Sequence, residues 1–193
     1  MRIIFRTLSL AALPLWAGTA VAAVDIAGVK VDEALSVAGT RLQLNGAGVR
    51  YKGPFKVYVG DLYATRPVKS LDELIAAPGP KRLGMTFLRE INSAEFGKML
   101  TRGIEDNVAK GDLAPLVPAL VRMGELFNEH KSLASGSKVL IDSVPGTGTV
   151  VTINGVQAGE PFKEPTLFRA ILSIWLGPVP VDFRLKDTLL GVR

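Results

Sequence analysis

The order of apolar and polar positions divides the chain into segments of two different periods. Residues 24–31 and 41–51 read as strands, with Leu42, Leu44 and the small residues that follow on one parity. Residues 55–63 (FKVYVGDLY) alternate in part and are rich in Val and Tyr, so they predict a further strand after a turn at Gly53-Pro54. A short helix is expected over 71–77, closed by Pro78-Gly79-Pro80, and another strand over 82–88. There the period changes. Asn92 and Glu95 stand at capping-box spacing, and Phe96, Met99, Leu100, Ile104 and Val108 fall on one helical face. A second helix over about 116–131 carries Leu120, Met123, Leu126 and Phe127 as its apolar stripe. Strands return at 138–143, 149–153 and 156–162, the last two joined by Asn154-Gly155, a strong hairpin signal, and helices are expected over 165–176 and 181–190.

Strands, a block of helices, a hairpin and more helices do not alternate as βαβ units would. The expected fold class is therefore α+β, a mainly antiparallel sheet with its helices packed on one face. No repeat, low-complexity tract or linker divides the chain, so residues 23–193 read as one domain. The segment before them reads differently. Arg2 and Arg6 precede a nearly all-apolar run over 8–17, and Ala20-Val21-Ala22 supplies the small-x-small pattern that a signal peptidase recognises. Pro14 interrupts the run, which is shorter than the roughly 20 residues of a bilayer span. Residues 1–22 are expected to be a cleaved signal peptide, placing the protein in the periplasm or outside the cell. No second stretch is long enough to span a membrane after cleavage.

Composition narrows the chemistry. The chain of 193 residues carries a net charge of +5, and removing the leader's two arginines leaves +3, spread thinly along the sequence. Nucleic acid is not an expected partner. Cysteine is absent, which excludes disulfides, thiol nucleophiles, Cys-ligated zinc and haem attached through CxxCH. His130 is the single histidine, in Glu129-His130-Lys131, and reads as a solvated helix-end residue rather than part of a triad. No cofactor and no metal are expected. The sequence does not set the oligomeric state.

One segment concentrates the interest. If the strand through Leu42-Gln43-Leu44-Asn45-Gly46-Ala47-Gly48-Val49-Arg50 runs without a bulge, Leu42, Leu44, Gly46, Gly48 and Arg50 share a face. A guanidinium on the apolar side of a sheet demands an anion, and the glycines leave room beside it for a ligand. A bulge at Gly46 or Gly48 would instead flip the parity and turn Arg50 to solvent or against Asp61. On the next strand Lys56, Tyr58, Gly60 and Leu62 share one face and Phe55, Val57 and Val59 the other, so Tyr58 is placed to add a phenolic donor beside Arg50. Neither Gly46-Ala47-Gly48 nor Gly146-Thr147-Gly148 completes a phosphate loop. Glu125 with Glu129, and Arg184, Lys186 and Asp187, read as solvated charge.

The stretch LNGAGVRYKGPFKVYVGDLY, together with LFRAILSIWLG and a short final helix, resembles the chalcone-isomerase-like family over nearly the whole chain after the leader. The resemblance implies an open-faced β-sandwich with a ligand cleft between a large antiparallel sheet and a helical layer, in an exported bacterial branch. Arg50 matches the arginine of the family's isomerases. Tyr58 stands where those enzymes carry threonine, Phe96 replaces their tyrosine, Gly103 their asparagine and Ile174 a late Ser/Thr. The family's fatty-acid-binding members hold the lipid carboxylate with the same arginine and a tyrosine on the next strand, a pattern Arg50 and Tyr58 fit. The expected function is thus binding of a fatty acid or similar amphipathic carboxylate by Arg50 and Tyr58, with Leu42, Leu44, Phe96 and Ile174 along the chain. The alternative is an isomerase, an intramolecular lyase, in which Arg50 would stabilise an oxyanion. On the binding reading no catalytic residue is assigned. A third possibility is an interaction protein whose cleft is filled by Phe96 and Trp175.

Overall fold

Three two-residue turns set the strand pairing, and two of them involve an unexpected residue. At Ala27-Gly28, Ala38-Gly39 and Asn154-Gly155 both residues have positive φ (52° and 84°, 47° and 76°, 50° and 83°). This is the turn whose twist matches a hairpin. Residues 24–31 are therefore not one strand but a hairpin of β1 (Ala23–Ile26) and β2 (Val29–Asp32), and β3 (Ala34–Val37) precedes β4 (Thr40–Lys52). Alanine in the left-handed region costs roughly 1–2 kcal/mol, so Ala-Gly is not a turn signal by composition. The structure, a computed structural model, describes residues 22–129 and 131–192. The expected leader, apart from Ala22, and His130 lie outside the described residues.

The remaining elements follow the sequence pattern with shifted ends. They are β5 (Phe55–Ala64), α1 (Leu71–Ala76), β6 (Lys81–Phe87), β7 (Ile91–Asn92), α2 (Ser93–Glu105), α3 (Lys110–Leu113), α4 (Val117–Asn128), β8 (Ser132–Leu133), β9 (Lys138–Val144), β10 (Gly148–Ile153), β11 (Val156–Gln157), α5 (Leu167–Leu176) and α6 (Phe183–Leu189). The strand expected over 156–162 stops after two residues, and Phe162 returns to bridge Thr149. Asn92 caps α2 as its spacing predicts, its Oδ1 accepting from Glu95 N at 3.0 Å.

An antiparallel sheet in the order β11-β10-β9-β6-β5-β4-β3 organises the molecule. On one face α2, α4 and α5 cover the main core. Helix α5 is apolar almost all round and is buried accordingly, with Arg169 reaching out to pair with Asp72. The opposite face carries a smaller cluster of Val31, Val37, Leu42, Val59 and Tyr63 under the β1–β2 hairpin, where the Tyr63 hydroxyl donates to Asp32 O at 2.8 Å. Among the described residues no helix is long and apolar enough to cross a membrane.

On that second face Asp61 sits between Val59 and Tyr63, opposite Gly84 in the β5–β6 register. A Cβ at Gly84 would collide with its carboxylate, so the glycine makes its room. Nearby, Arg82 is held bidentately by Asp142, at 2.7 and 2.6 Å. Burial pushes the Asp61 carboxyl up to about 6, against the pull of Arg82 and Lys138. Between about pH 4 and that value the folded chain holds a proton the unfolded chain has released, so stability falls as pH rises through the window. Across that window the loss comes to about 3 kcal/mol. Asp61→Asn is expected to flatten this slope and to be more stable than the wild type at pH 7. Urea unfolding between pH 4 and 7 measures it, and parallel profiles would disprove it.

Candidate functional site

Two bulges in the β4–β5 ladder decide which side chains reach the helical face. The pairing steps from Leu44 with Tyr63 to Gly46 with Leu62, leaving Asn45 as the extra residue. Its amide is pinned from three sides: Nδ2 donates to Val68 O (3.0 Å) and Leu189 O (2.7 Å), and Oδ1 accepts from Val68 N (2.8 Å). The parity therefore flips within the strand. Leu42 and Leu44 join Ala47 and Val49 in the cluster beneath the β1–β2 hairpin, away from Arg50, while Gly46, Gly48 and Arg50 face the helices. The uninterrupted strand is thus corrected, and so is the placing of Leu42 and Leu44 beside a ligand. The bulge sits at Asn45 rather than at a glycine, and Arg50 remains on the helical side.

The space above the glycines belongs to α6. A Cβ at Gly46 would collide with Thr188 O and lie 2.8 Å from Leu189 O, one at Gly48 would lie 3.0 Å from Thr188 Cγ2, and one at Gly60 would touch Leu185. The gap read as a ligand slot is the seat of a helix. At its start α6 presents Asp182, whose Oδ1 caps the helix by accepting from Arg184 N (2.9 Å) and Leu185 N (3.2 Å). Its Oδ2 accepts from Tyr51 N at 3.1 Å and stands 3.5 Å from Arg50 Nη1. Arg50 therefore has an internal acid, but at one long contact, with the two side chains 19% and 11% exposed.

The second bulge lies one step on. Arg50 faces Tyr58, then Tyr51 faces Lys56, so Val57 is the extra residue and turns to the helical side with Tyr58. A cavity of about 190 Å³ opens there. Arg50, Val57 and Tyr58 wall it from the sheet, Phe96, Met99, Leu100 and Gly103 from α2, and Ile174 and Trp175 from α5. Exposed Lys52, Arg102 and Asp106 stand on its rim. Of the residues singled out in the sequence, Arg50, Tyr58, Phe96 and Ile174 are thus brought together. Gly103 lets α2 approach α5, since a Cβ there would lie 2.9 Å from Ile174 Cγ2. Phe96 and Trp175 are buried in the wall and leave the cavity open beside Arg50.

Tyr58 is held in place from two directions. Trp175 Nε1 donates to its hydroxyl at 2.7 Å, and its ring begins an edge-to-face series with Phe87, Phe96 and Phe127, at centroid spacings of 5.7, 5.3 and 5.2 Å. Burial pushes the phenol up to about 12, outweighing the hydrogen bond from Trp175 and the charge of Arg50. At neutral pH it is a neutral hydroxyl with one lone pair occupied and a proton to give. Guanidinium and hydroxyl thus offer convergent donors at the end of an apolar chamber, an arrangement that suits an anion carrying an apolar tail. Asp182 escapes a reading of the sequence because it is 132 residues from Arg50. Aspartate just ahead of the first turn of a helix does carry a capping signal. Val57, Met99 and Leu100 also belong to the wall without being foreseen there.

The profile of a family described as chalcone isomerase-like matches residues 23–191. Among solved structures, the fatty-acid binding protein AtFAP1 of Arabidopsis thaliana matches with a TM-score of 0.68 at 19% sequence identity, covering 88% of this chain and 96% of that one. At that identity the likeness is one of fold, and it agrees with the expected α+β architecture. The curated proteins contain no match to the chain.

Proposed function

The chain belongs to the chalcone isomerase-like family, and from that premise and the chemistry of its cleft we propose that it binds a fatty acid or similar amphipathic carboxylate between sheet and helices, without transforming it. The observation that carries this reading is a guanidinium at the edge of an apolar cavity whose acidic partner, Asp182, stands 3.5 Å away. A carboxylate there gains charge-assisted bonds from Arg50 and a further bond from the Tyr58 hydroxyl. The tail lies against Phe96, Leu100 and Ile174. The name of the structural neighbour, a fatty-acid binding protein, supports the same class of ligand.

Three polar positions of the isomerases in the resemblance drawn above correspond here to Phe96, Gly103 and Ile174, all buried. Tyr58, raised to about 12, is no base at neutral pH. These features favour holding a ligand over reacting with it. The leader pattern of residues 1–22 supports an exported carrier or sensor, periplasmic in a bacterium.

The test is calorimetric titration with palmitate and with its methyl ester, which keeps the chain and removes the charge. The acid is expected to bind at least about tenfold tighter. Equal affinities would overturn carboxylate recognition, and chalcone cyclisation above the buffer rate would overturn the non-catalytic reading.

A further inference from the structure

The cleft continues beyond Met99. Lys52, Val57 and Met99 also line a second cavity of about 580 Å³, between the tip of the β4–β5 hairpin and the start of α2. The first chamber, about 190 Å³, is smaller than the roughly 300–1,000 Å³ of ordinary ligand sites, whereas the second lies within that range. A long chain anchored at Arg50 therefore needs both. Met99, an unbranched thioether left 42% exposed between them, is a wall that yields by rotation.

The two chambers differ in chemistry. Beyond its charged rim the first is aromatic and aliphatic. The second presents the Arg89 guanidinium, 4.9 Å above the Phe55 ring, along with Asn92 and Glu95. Asn92 has spent its Oδ1 on Glu95 N, so its amide NH₂ remains as a donor directed by the cap. A bare alkyl end laid over these groups would shield them from water and return no hydrogen bond. A hydroxyl or carboxylate at that end would return one.

From this, resting on the carboxylate-binding reading above, we infer that the protein's ligand is bifunctional: a long-chain acid with a second polar group, hydroxyl or carboxylate, near its far end. The carboxylate sits at Arg50 and Tyr58, the alkyl segment passes Val57 and Met99, and the distal group meets Arg89 and Asn92.

Titration of the purified protein with octanoate, palmitate and 16-hydroxyhexadecanoate tests this. The wild type is expected to bind the hydroxy acid about fivefold tighter than palmitate, one hydrogen bond's worth. Arg89→Ala is expected to bring that ratio to about one, again the loss of one bond. Glu95→Trp, which places an indole over the second chamber from an exposed position, is expected to lower the ratio of palmitate to octanoate affinity by about tenfold or more. Equal binding of palmitate and its hydroxy acid by the wild type, or an unchanged palmitate-to-octanoate ratio in Glu95→Trp, would overturn the inference while leaving the Arg50 anchor standing. Failure of the wild type to bind any of the three acids would remove the anchor and this inference with it.

Discussion

Arg50→Ala is expected to raise the Kd for a fatty carboxylate by roughly a hundredfold, about 3 kcal/mol, while changing the melting temperature little. The size follows from what the substitution strands. In the wild type the headgroup leaves water for a site that supplies a guanidinium and the Tyr58 hydroxyl. In the variant only the hydroxyl remains, beside the negative charge of Asp182. Fold stability is nearly indifferent because Arg50 is tied to Asp182 by one 3.5 Å contact, and Asp182 keeps its bonds to Tyr51 N, Arg184 N and Leu185 N. Asp182→Asn should act in the opposite direction. Asparagine caps a helix about as well as aspartate, so its one carbonyl oxygen keeps the start of α6; the bond from Tyr51 N is given up, Arg50 loses a competing anion, and carboxylate affinity rises by up to about tenfold. Calorimetric titration of the two variants decides the matter: an Arg50→Ala protein that binds as tightly as the wild type would show that the headgroup lies elsewhere.

The largest loss of stability is expected from Gly46→Ala. A methyl group there meets the backbone oxygens of Thr188 and Leu189, which cannot rotate aside, so α6 must lift from β4. Lifting strains the Asn45 Nδ2 bond to Leu189 O and opens the packing of Leu185 and Leu189, both buried. Overpacking with loss of a buried bond comes to about 3 kcal/mol, or roughly 6–12 °C in Tm for a chain of this size. Gly48→Ala is the informative comparison, because its methyl would meet only side-chain atoms of Thr188 and Leu185. About 1 kcal/mol is expected there. Thermal unfolding followed by circular dichroism separates the two, and equal melting temperatures for both variants would contradict the seating of α6 on Gly46.

Periodicity was a sound guide wherever one face of an element meets the core, as for α2 with Phe96, Leu100 and Ile104 and for β9 with Val139 and Ile141. It also brought Arg50 and Tyr58 to one face, and in the ladder they are direct partners. It failed where a distant group overrides the local pattern. Asparagine in a strand gives no bulge signal, yet bonds from Asn45 to residues 23 and 144 positions away hold one, and with it Leu42 and Leu44 change sides. The Val57 bulge is equally silent, since valine is an ordinary strand residue. The glycines were conspicuous, but a residue without a side chain says only that something comes close. Here it is a helix of the same chain.

The bond from Trp175 to Tyr58 gives the site an optical handle. The chain has two tryptophans, Trp16 and Trp175, and a protein beginning at Ala23 would owe all its indole emission to Trp175. That ring is 2% exposed, and its N–H is tied to the hydroxyl a carboxylate would approach. An occupant of the cleft alters the polarity and hydrogen bonding around this fluorophore directly, so the protein reports its own loading to a spectrofluorimeter without dye or label.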